Sequence, residues 1–129
     1  MHLVGILLAA GSGSRFGGDK LLASLPGDEP IGVAACRHLL AALPDSVAVV
    51  RAGDRTLAAL LGEAGARVVV CADAERGMGR SLACGVAAAR DADGFVVALA
   101  DMPWVRASTI DAVAQALRDG APMPAAAIG

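Results

Sequence analysis

Residues 7–22 read LLAAGSGSRFGGDKLL, an apolar segment followed by a glycine-rich loop and a return to apolar residues. Glycine adopts backbone conformations closed to other residues, so its N–H groups can surround an anion. The loop also carries Arg15 and Lys20, the only lysine of the chain. The stretch therefore predicts a strand that ends in an anion-binding loop. A flexible turn with two solvated cations is the alternative that glycine content alone leaves open.

Downstream of this loop, short β-branched segments alternate with longer amphipathic ones. Strands are predicted at 3–9, 46–51, 67–71 and 94–100, and helices at 32–43, 55–64, 80–90 and 108–118. Nearly continuous apolar strands separated by helices indicate a parallel sheet that is covered on both faces. We therefore expect an α/β fold, a three-layer α/β/α sandwich with a Rossmann-like, mostly parallel sheet. Pro44, Gly65 and Ser108 are the expected stop or cap signals of these helices.

Length and composition restrict the class of protein. The chain of 129 residues fits a single domain over 1–129, and no apolar run approaches the roughly 18 residues of a membrane span. Residues 1–10 lack a basic signal-peptide region, so we expect a cytoplasmic protein with no membrane partner. A net charge of −2, one tryptophan and no tyrosine disfavour nucleic-acid binding.

The three cysteines are odd in number and widely spaced, with no CxxC pair. This pattern argues against a disulfide framework and against a zinc site. We expect Cys36, Cys71 and Cys84 to be small buried hydrophobic residues. Neither histidine is a catalytic candidate, because His2 is close to the terminus and His38 lies among apolar residues of a predicted helix.

Ligands of open α/β sheets bind beyond the carboxyl ends of the strands. The apolar strand at 94–100 ends in Asp101-Met-Pro and is expected to adjoin the first strand. Asp101 would then face the glycine-rich loop, where a carboxylate is suited to hold Mg²⁺ against a polyphosphate. In isolation, Asp-x-Pro is also an ordinary turn sequence.

A third segment, GMGRSL at 77–82, opens a predicted helix with small residues and a hydroxyl. Its free N–H groups are suited to a base, a ribose or a phosphate. An ordinary helix N-cap is the alternative.

Two common phosphate motifs do not fit the first loop. A P-loop requires Ser or Thr after its lysine, but Lys20 is followed by Leu21. The dinucleotide fingerprint does not match either. This sequence has Phe16 where the motif requires its third glycine, and Arg51 where an acidic residue should end the second strand.

The sequence resembles the MobA/MocA-like NTP transferase family, the nucleotidyltransferases of molybdenum cofactor biosynthesis, whose chains open with LAxGxGxR(M/F)GGxK. Here residues 8–20 read LAAGSGSRFGGDK, and both GMGRSL and LADMP at 99–103 are similar to later family segments. The resemblance implies transfer of a nucleotide monophosphate from an NTP to the phosphate of molybdopterin, with release of pyrophosphate. Ala10 favours CTP over GTP, because cytidylyl enzymes carry LAAG where guanylyl enzymes carry LAGG.

The resemblance also implies roles for individual residues. Arg15, Lys20 and Asp101 are the catalytic candidates, with Asp101 as the ligand of Mg²⁺. The implied nucleotide-binding residues lie in the first loop, after the third strand and at the start of the third helix: Leu8, Ala9, Ala10, Gly11, Gly13, Lys20, Asp73, Gly79 and Ser81.

The carboxyl end departs from the family pattern. Family members continue with further strands and a second metal-binding aspartate, whereas residues 120–129 read GAPMPAAAIG. We therefore expect the family's carboxyl-terminal strands to be lacking, leaving an exposed sheet edge that promotes self-association. Two alternatives remain open, cytidylyl or uridylyl transfer to a sugar or polyol phosphate and nucleotide binding without turnover.

Overall fold

The computed structural model describes residues 2–10, 21–23, 29–120 and 125–128, and for Glu75 and 125–128 it describes the backbone alone. Five strands form one parallel sheet in the order β3-β2-β1-β4-β5. Their bounds are β1 Leu3–Leu8, β2 Ser46–Arg51, β3 Arg67–Cys71, β4 Gly94–Leu99 and β5 Ala125–Ile128. The first strand is thus the central one, and the chain reverses direction across the sheet after β3.

In the described residues, one α-helix follows each of the first four strands: α1 Ile31–Ala42, α2 Arg55–Ala64, α3 Met78–Ala88 and α4 Ala107–Arg118. Each begins and ends within two residues of its expected position. Gly65 ends α2 with a φ of 114°, a left-handed conformation that glycine adopts without strain. Ser108 was wrongly expected to cap α4. The helix begins one residue earlier with Arg106 at its N-cap position, and the Arg106 carbonyl accepts the N–H of Thr109 and of Ile110. None of the described helices is long and apolar enough to cross a membrane.

The sheet separates two hydrophobic cores because successive side chains of a strand point to opposite faces. Leu3 and Leu7 of β1 lie in the core that contains α1, α2 and α4. Val4, Ile6 and Leu8 lie in the core on the other face, which α3 covers. The expected three-layer α/β/α sandwich is therefore confirmed.

The strand β5 was not expected. It pairs in parallel with β4, from Phe95 opposite Ala125 to Ala98 opposite Ile128, so β4 is not the edge of the sheet. Alanine has a low preference for strands, and this strand forms through pairing with β4 rather than through its own sequence. In the described part of the chain the sheet edges are β3 and β5. Self-association through such an edge stays a prediction.

The cysteines correct a second expectation. Cys71 at the end of β3 and Cys84 in α3 form a disulfide, with Cα atoms 6.0 Å apart. Only Cys36 is a free thiol, and its side chain is buried in α1. Burial raises the pKa of Cys36 to about 11, so its thiol stays neutral near pH 7.

Thiol titration tests this pairing. Without a reductant we expect no reactive thiol in the folded chain and one thiol in denaturant, because Cys36 is buried and the other two are joined. Reduction in denaturant should expose all three cysteines of the sequence. The disulfide closes a short loop and should stabilise the fold by about 3 kcal/mol, seen as a lower urea midpoint after reduction. Three thiols in denaturant before reduction would contradict the disulfide.

Helix α3 lies unusually close to the sheet at Gly85. A Cβ atom built there would lie 2.8 Å from Cγ2 of Ile6 and 3.1 Å from Cγ2 of Val49. The first distance is shorter than real carbon contacts and the second is unusually tight, so α3 packs closely against β1 and β2 because residue 85 has no side chain.

The pair Gly85→Ala and Gly62→Ala tests this packing. Both substitutions remove a glycine from a helix, which by itself stabilises by up to about 1 kcal/mol, and that gain cancels in the comparison. A Cβ at Gly62 would meet Val68 at an ordinary 3.7 Å. Gly85→Ala should therefore be less stable than Gly62→Ala by about 1–3 kcal/mol, the usual cost of overpacking, in urea denaturation. Equal stability of the two variants would show that the side chains around residue 85 can move to accommodate the added methyl group.

Candidate functional site

The carboxyl ends of the three central strands are fixed side by side. Leu8 of β1 is paired with Val49 of β2 and with Leu99 of β4. Beyond these pairs the backbone bonds continue for one more residue. The N–H of Ala9 donates to the carbonyl oxygen of Val49 at 2.9 Å, and the N–H of Ala100 donates to that of Leu8 at 3.1 Å. The segments that leave β1 and β4 therefore start next to each other.

Asp101 lies in the turn that follows β4. It is exposed and comes two residues after Leu99, as Ala10 comes two residues after Leu8. The turn is closed by the N–H of Met102, which donates to the Leu99 carbonyl at 3.2 Å, and Pro103 is buried. The expectation that β4 adjoins β1 is correct, and it brings Asp101 to the edge of the sheet where the loop after β1 begins.

The residues at the end of β1 have buried side chains. Leu8, Ala9 and Ala10 are all nearly inaccessible to solvent. A ligand at this edge would therefore meet their backbone atoms or the residues after them. Four predicted site residues, Gly11, Gly13, Arg15 and Lys20, lie outside the described residues.

The third candidate segment follows β3. Asp73 is exposed and precedes a 3₁₀ turn at Ala74–Arg76, and α3 begins after Gly77. Gly79 is exposed in the first turn of α3 with open space around its Cα, whereas Ser81 is only 2% exposed and faces the protein interior. Asp73 and Gly79 are thus accessible to a ligand, and Ser81 lies beneath the start of the helix.

The Cys71–Cys84 disulfide joins the two ends of this segment. It connects the end of β3 to the second turn of α3, across the residues that include Asp73 and Gly79. The covalent link restricts how far the start of α3 can move from β3. No local sequence pattern indicates this link, because a turn and a helix start separate the two cysteines.

Gly77 has backbone dihedrals of φ 122° and ψ 170°. This conformation is essentially restricted to glycine, since a Cβ atom would clash with the backbone. The carbonyl oxygen of Gly77 accepts the N–H of Arg80 at 3.1 Å and so starts the helix. Gly77 is therefore needed for the turn itself, and this structural role is independent of any ligand.

The described residues contain no group of three His, Cys, Asp or Glu side chains arranged to hold a metal ion. Asp101 is therefore a single candidate ligand. Mg²⁺ is commonly held by one or two carboxylates, with substrate phosphates and water completing its shell. One exposed carboxylate at this edge fits a cation that arrives with a polyphosphate and does not fit a permanently bound structural metal.

Two further residues at the carboxyl edge were not singled out from the sequence. Asp54 follows β2 and precedes α2, and its Oδ2 atom is buried without a hydrogen-bond partner among the described residues. Trp104 follows Asp101 in the β4–α4 loop and is 67% exposed. Asp54 has the sequence signal of an ordinary helix cap, although its side chain makes no capping bond. An exposed tryptophan has no sequence signal, because tryptophan is usually largely buried.

The sequence matches the MobA-like NTP transferase domain over residues 5–128, nearly its whole length. The chain belongs to this family. It is 37% identical over 125 residues to the purine catabolism protein PucB of Bacillus subtilis and 34% identical over 119 residues to the nicotine blue oxidoreductase of Paenarthrobacter nicotinovorans. These alignments include 87% and 92% of this chain, but only 59% and 58% of the two relatives. The chain thus spans somewhat more than half the length of the proteins that it matches.

Solved structures have the same fold. A nucleotidyl transferase from Methanothermobacter thermautotrophicus is 25% identical with a TM-score of 0.77, over 88% of this chain and 57% of that one. Rv0371c from Mycobacterium tuberculosis is 25% identical with a TM-score of 0.74, over 89% and 59%. The same mycobacterial protein in complex with manganese is 24% identical, with a TM-score of 0.65 over 92% and 61%. The MobA-like domain of this chain is therefore an ordinary member of a known nucleotidyl transferase fold.

Gly77→Ala and Gly79→Ala form a matched test of the turn before α3. Gly77→Ala should destabilise the fold by about 1–3 kcal/mol because alanine is strained at this φ and ψ. Gly79→Ala should leave stability unchanged or raise it by up to about 1 kcal/mol, since a Cβ there meets open space in a helix. Urea denaturation of both variants measures the difference. Similar stabilities would mean that the turn can change its conformation.

Proposed function

We propose that this chain is a nucleotidyltransferase that moves a nucleotide monophosphate, from CTP in preference to GTP, to the phosphate of molybdopterin. Pyrophosphate is the second product. The observation that carries the proposal is the pairing of β1 with β4, which puts Asp101 beside the start of the glycine-rich loop. Family membership supports the reaction class, and the acceptor and the choice of base rest on the resemblance of residues 8–20 to the cytidylyl enzymes.

The proposed reaction needs alignment and charge neutralisation more than proton transfer. A phosphate monoester has a second pKa of about 6, so the acceptor is largely ionised at pH 7 and can attack the α-phosphorus without a general base. The bond to the leaving pyrophosphate breaks as the new phosphoanhydride bond forms. Arg15 and Lys20 supply positive charge to the phosphates, and the flexible ammonium of Lys20 follows the departing oxygen.

A divalent cation completes this proposal. We assign Mg²⁺ to the carboxylate of Asp101, where a bound cation would neutralise phosphate charge during transfer. The exposed position of Asp101 leaves room for substrate oxygens and water in the same coordination shell. One protein of the same fold, Rv0371c from Mycobacterium tuberculosis, is known as a manganese complex.

The nucleotide is proposed to bind along the backbone of Leu8, Ala9 and Ala10 and the glycines Gly11 and Gly13. On the other side it would meet the segment after β3. Asp73 and Gly79 are accessible there, whereas the buried Ser81 would act from beneath the helix start. Glycine at position 79 gives a ligand access to the helix backbone, since nothing lies within 4 Å of a Cβ built at this position.

We propose a cytoplasmic location for the protein. The disulfide between Cys71 and Cys84 is unusual for that compartment, where thiols are kept reduced. Alkylation of the thiols in intact cells before lysis would decide the redox state there.

Pyrophosphate release tests the proposed reaction. The chain is incubated with Mg²⁺ and each of the four common NTPs, with and without molybdopterin. We expect release that requires molybdopterin and is fastest with CTP. Release with a sugar or polyol phosphate but not with molybdopterin would identify the alternative acceptor class. NTP binding in equilibrium dialysis without any release would instead indicate nucleotide binding without turnover.

Substitutions at Asp101 and Lys20 should reduce this turnover. Asp101→Asn is expected to lower the rate by about 100-fold or more through loss of the cation's ligand. Asp111→Asn, which changes an exposed residue of α4, should leave the rate unchanged.

Lys20→Ala should cost a few kcal/mol in binding or turnover. Lys20→Arg should not restore the rate, because a guanidinium is a planar fork rather than a point charge. Unchanged rates in Asp101→Asn or in Lys20→Ala would refute the assigned roles.

A further inference from the structure

Trp104 is the most exposed of the large apolar side chains in the described part of the chain. Its exposure is 67%, compared with 59% for Val70 on the edge strand β3 and 47% for Met78 at the start of α3. Leaving an indole in water forgoes a large favourable burial, since aromatic side chains bury about 150–250 Å² when they pack. It is also the only tryptophan of the sequence. An indole kept exposed at the ligand edge of the sheet suggests a contact with something other than the core.

The loop that carries Trp104 is held at several points. The N–H of Ala100 donates to β1 at Leu8, and the N–H of Met102 donates to Leu99. The N–H of Val105 donates to the carbonyl oxygen of Met102 at 3.4 Å, and α4 begins at Ala107. Pro103 is buried, so the residue directly before the indole is anchored in the protein. These anchors restrict the backbone of the loop that presents the indole, which lowers the entropy cost of binding a ligand.

The topology separates Trp104 from two of the proposed nucleotide contacts, Asp73 and Gly79. Asp73 and Gly79 follow β3, and α3 covers the face of the sheet that contains Val4 and Ile6. Trp104 follows β4 and leads into α4, which packs on the opposite face together with α1. Asp101 lies on the same β4–α4 loop as Trp104, separated from it only by Met102 and Pro103.

We propose that Trp104 is a specificity-determining residue for the acceptor, whose planar heteroaromatic ring stacks on the exposed indole. This inference rests on the proposed function, because it assigns the acceptor to the β4–α4 loop and the nucleotide to the ends of β1 and β3. Asp101 and Trp104 are close in the chain, with Cα atoms at most about 11 Å apart. A ring on the indole would therefore hold a phosphate on a short side chain near the carboxylate and its cation.

Stacking would select one class of acceptor over another. Indole faces attract flat π systems in offset-stacked geometry, and the contact tolerates different ring substituents. Sugar and polyol phosphates have no π face, so they would gain only the interactions of their phosphate. The exposed indole thus favours an acceptor that combines a flat heterocycle with a phosphate over a simple sugar phosphate.

Equilibrium dialysis with neopterin, a pterin that carries a short polyol side chain, tests the inference without any turnover. Its own fluorescence reports its concentration on both sides of the membrane. We expect saturable binding to the unaltered chain, a change within about 3-fold for Trp104→Phe, and weakening by about 10-fold or more for Trp104→Leu, which keeps apolar bulk but removes the π face. Val70→Thr, which changes an exposed apolar side chain on β3, should bind like the unaltered chain. Glycerol 3-phosphate in excess should not displace neopterin.

A parallel dialysis with CTP and Mg²⁺ separates this inference from the proposed function. CTP binding should be the same in the unaltered chain, Trp104→Phe and Trp104→Leu. If the unaltered chain does not bind CTP, the proposed nucleotide site is wrong. If Trp104→Leu binds neopterin as tightly as the unaltered chain does, or if the unaltered chain does not bind neopterin, the proposed role of Trp104 is wrong. Sedimentation velocity completes the test, because dissociation of a dimer on Trp104→Leu would assign the indole to a contact between two copies and also overturn the inference.

Discussion

The candidate site depends on the hydrogen bonds that β1 makes to two neighbours at once. Leu8 is paired with Val49 on one side and Leu99 on the other, and the bonding extends to Ala9 and Ala100. A slip of one residue in either pairing would turn every side chain of the shifted strand to the other face, where it would meet the wrong core. Burial on both faces thus fixes the register. The register in turn fixes where the loop after β1 and the turn of Asp101 begin.

Much of the fold follows from local patterns in the sequence. Strands β1, β2, β3 and β4 and helices α1 to α4 lie within two residues of their expected bounds, since apolar runs, Gly65 and Pro44 are strong local signals. The order of the strands follows from the rules of parallel crossovers, which led correctly to β4 beside β1. The start of α4 differed by one residue because a backbone carbonyl, at Arg106, starts the helix in place of the Ser108 hydroxyl.

The features that the sequence did not predict all depend on contacts between distant residues. Strand β5 consists of weak strand formers and exists because β4 offers an unpaired side. The Cys71–Cys84 bond depends on α3 packing over β3, which no spacing rule in the sequence specifies. Trp104 is exposed between a buried Pro103 and a half-buried Val105 that packs against the core. At the site itself, the sequence identified Asp101, Asp73 and Gly79 as candidates, but their accessibility is a property of the folded chain.

The disulfide has a consequence for how the molecule behaves when its backbone is cut. Together with the intervening residues it forms a covalent ring that encloses the 3₁₀ turn and the start of α3. Arg76 and Arg80 are exposed within this ring and are natural targets for trypsin-like proteases. A nick after either arginine would leave both pieces of the chain tethered, so the oxidised protein would run as one species until a reductant separated its fragments.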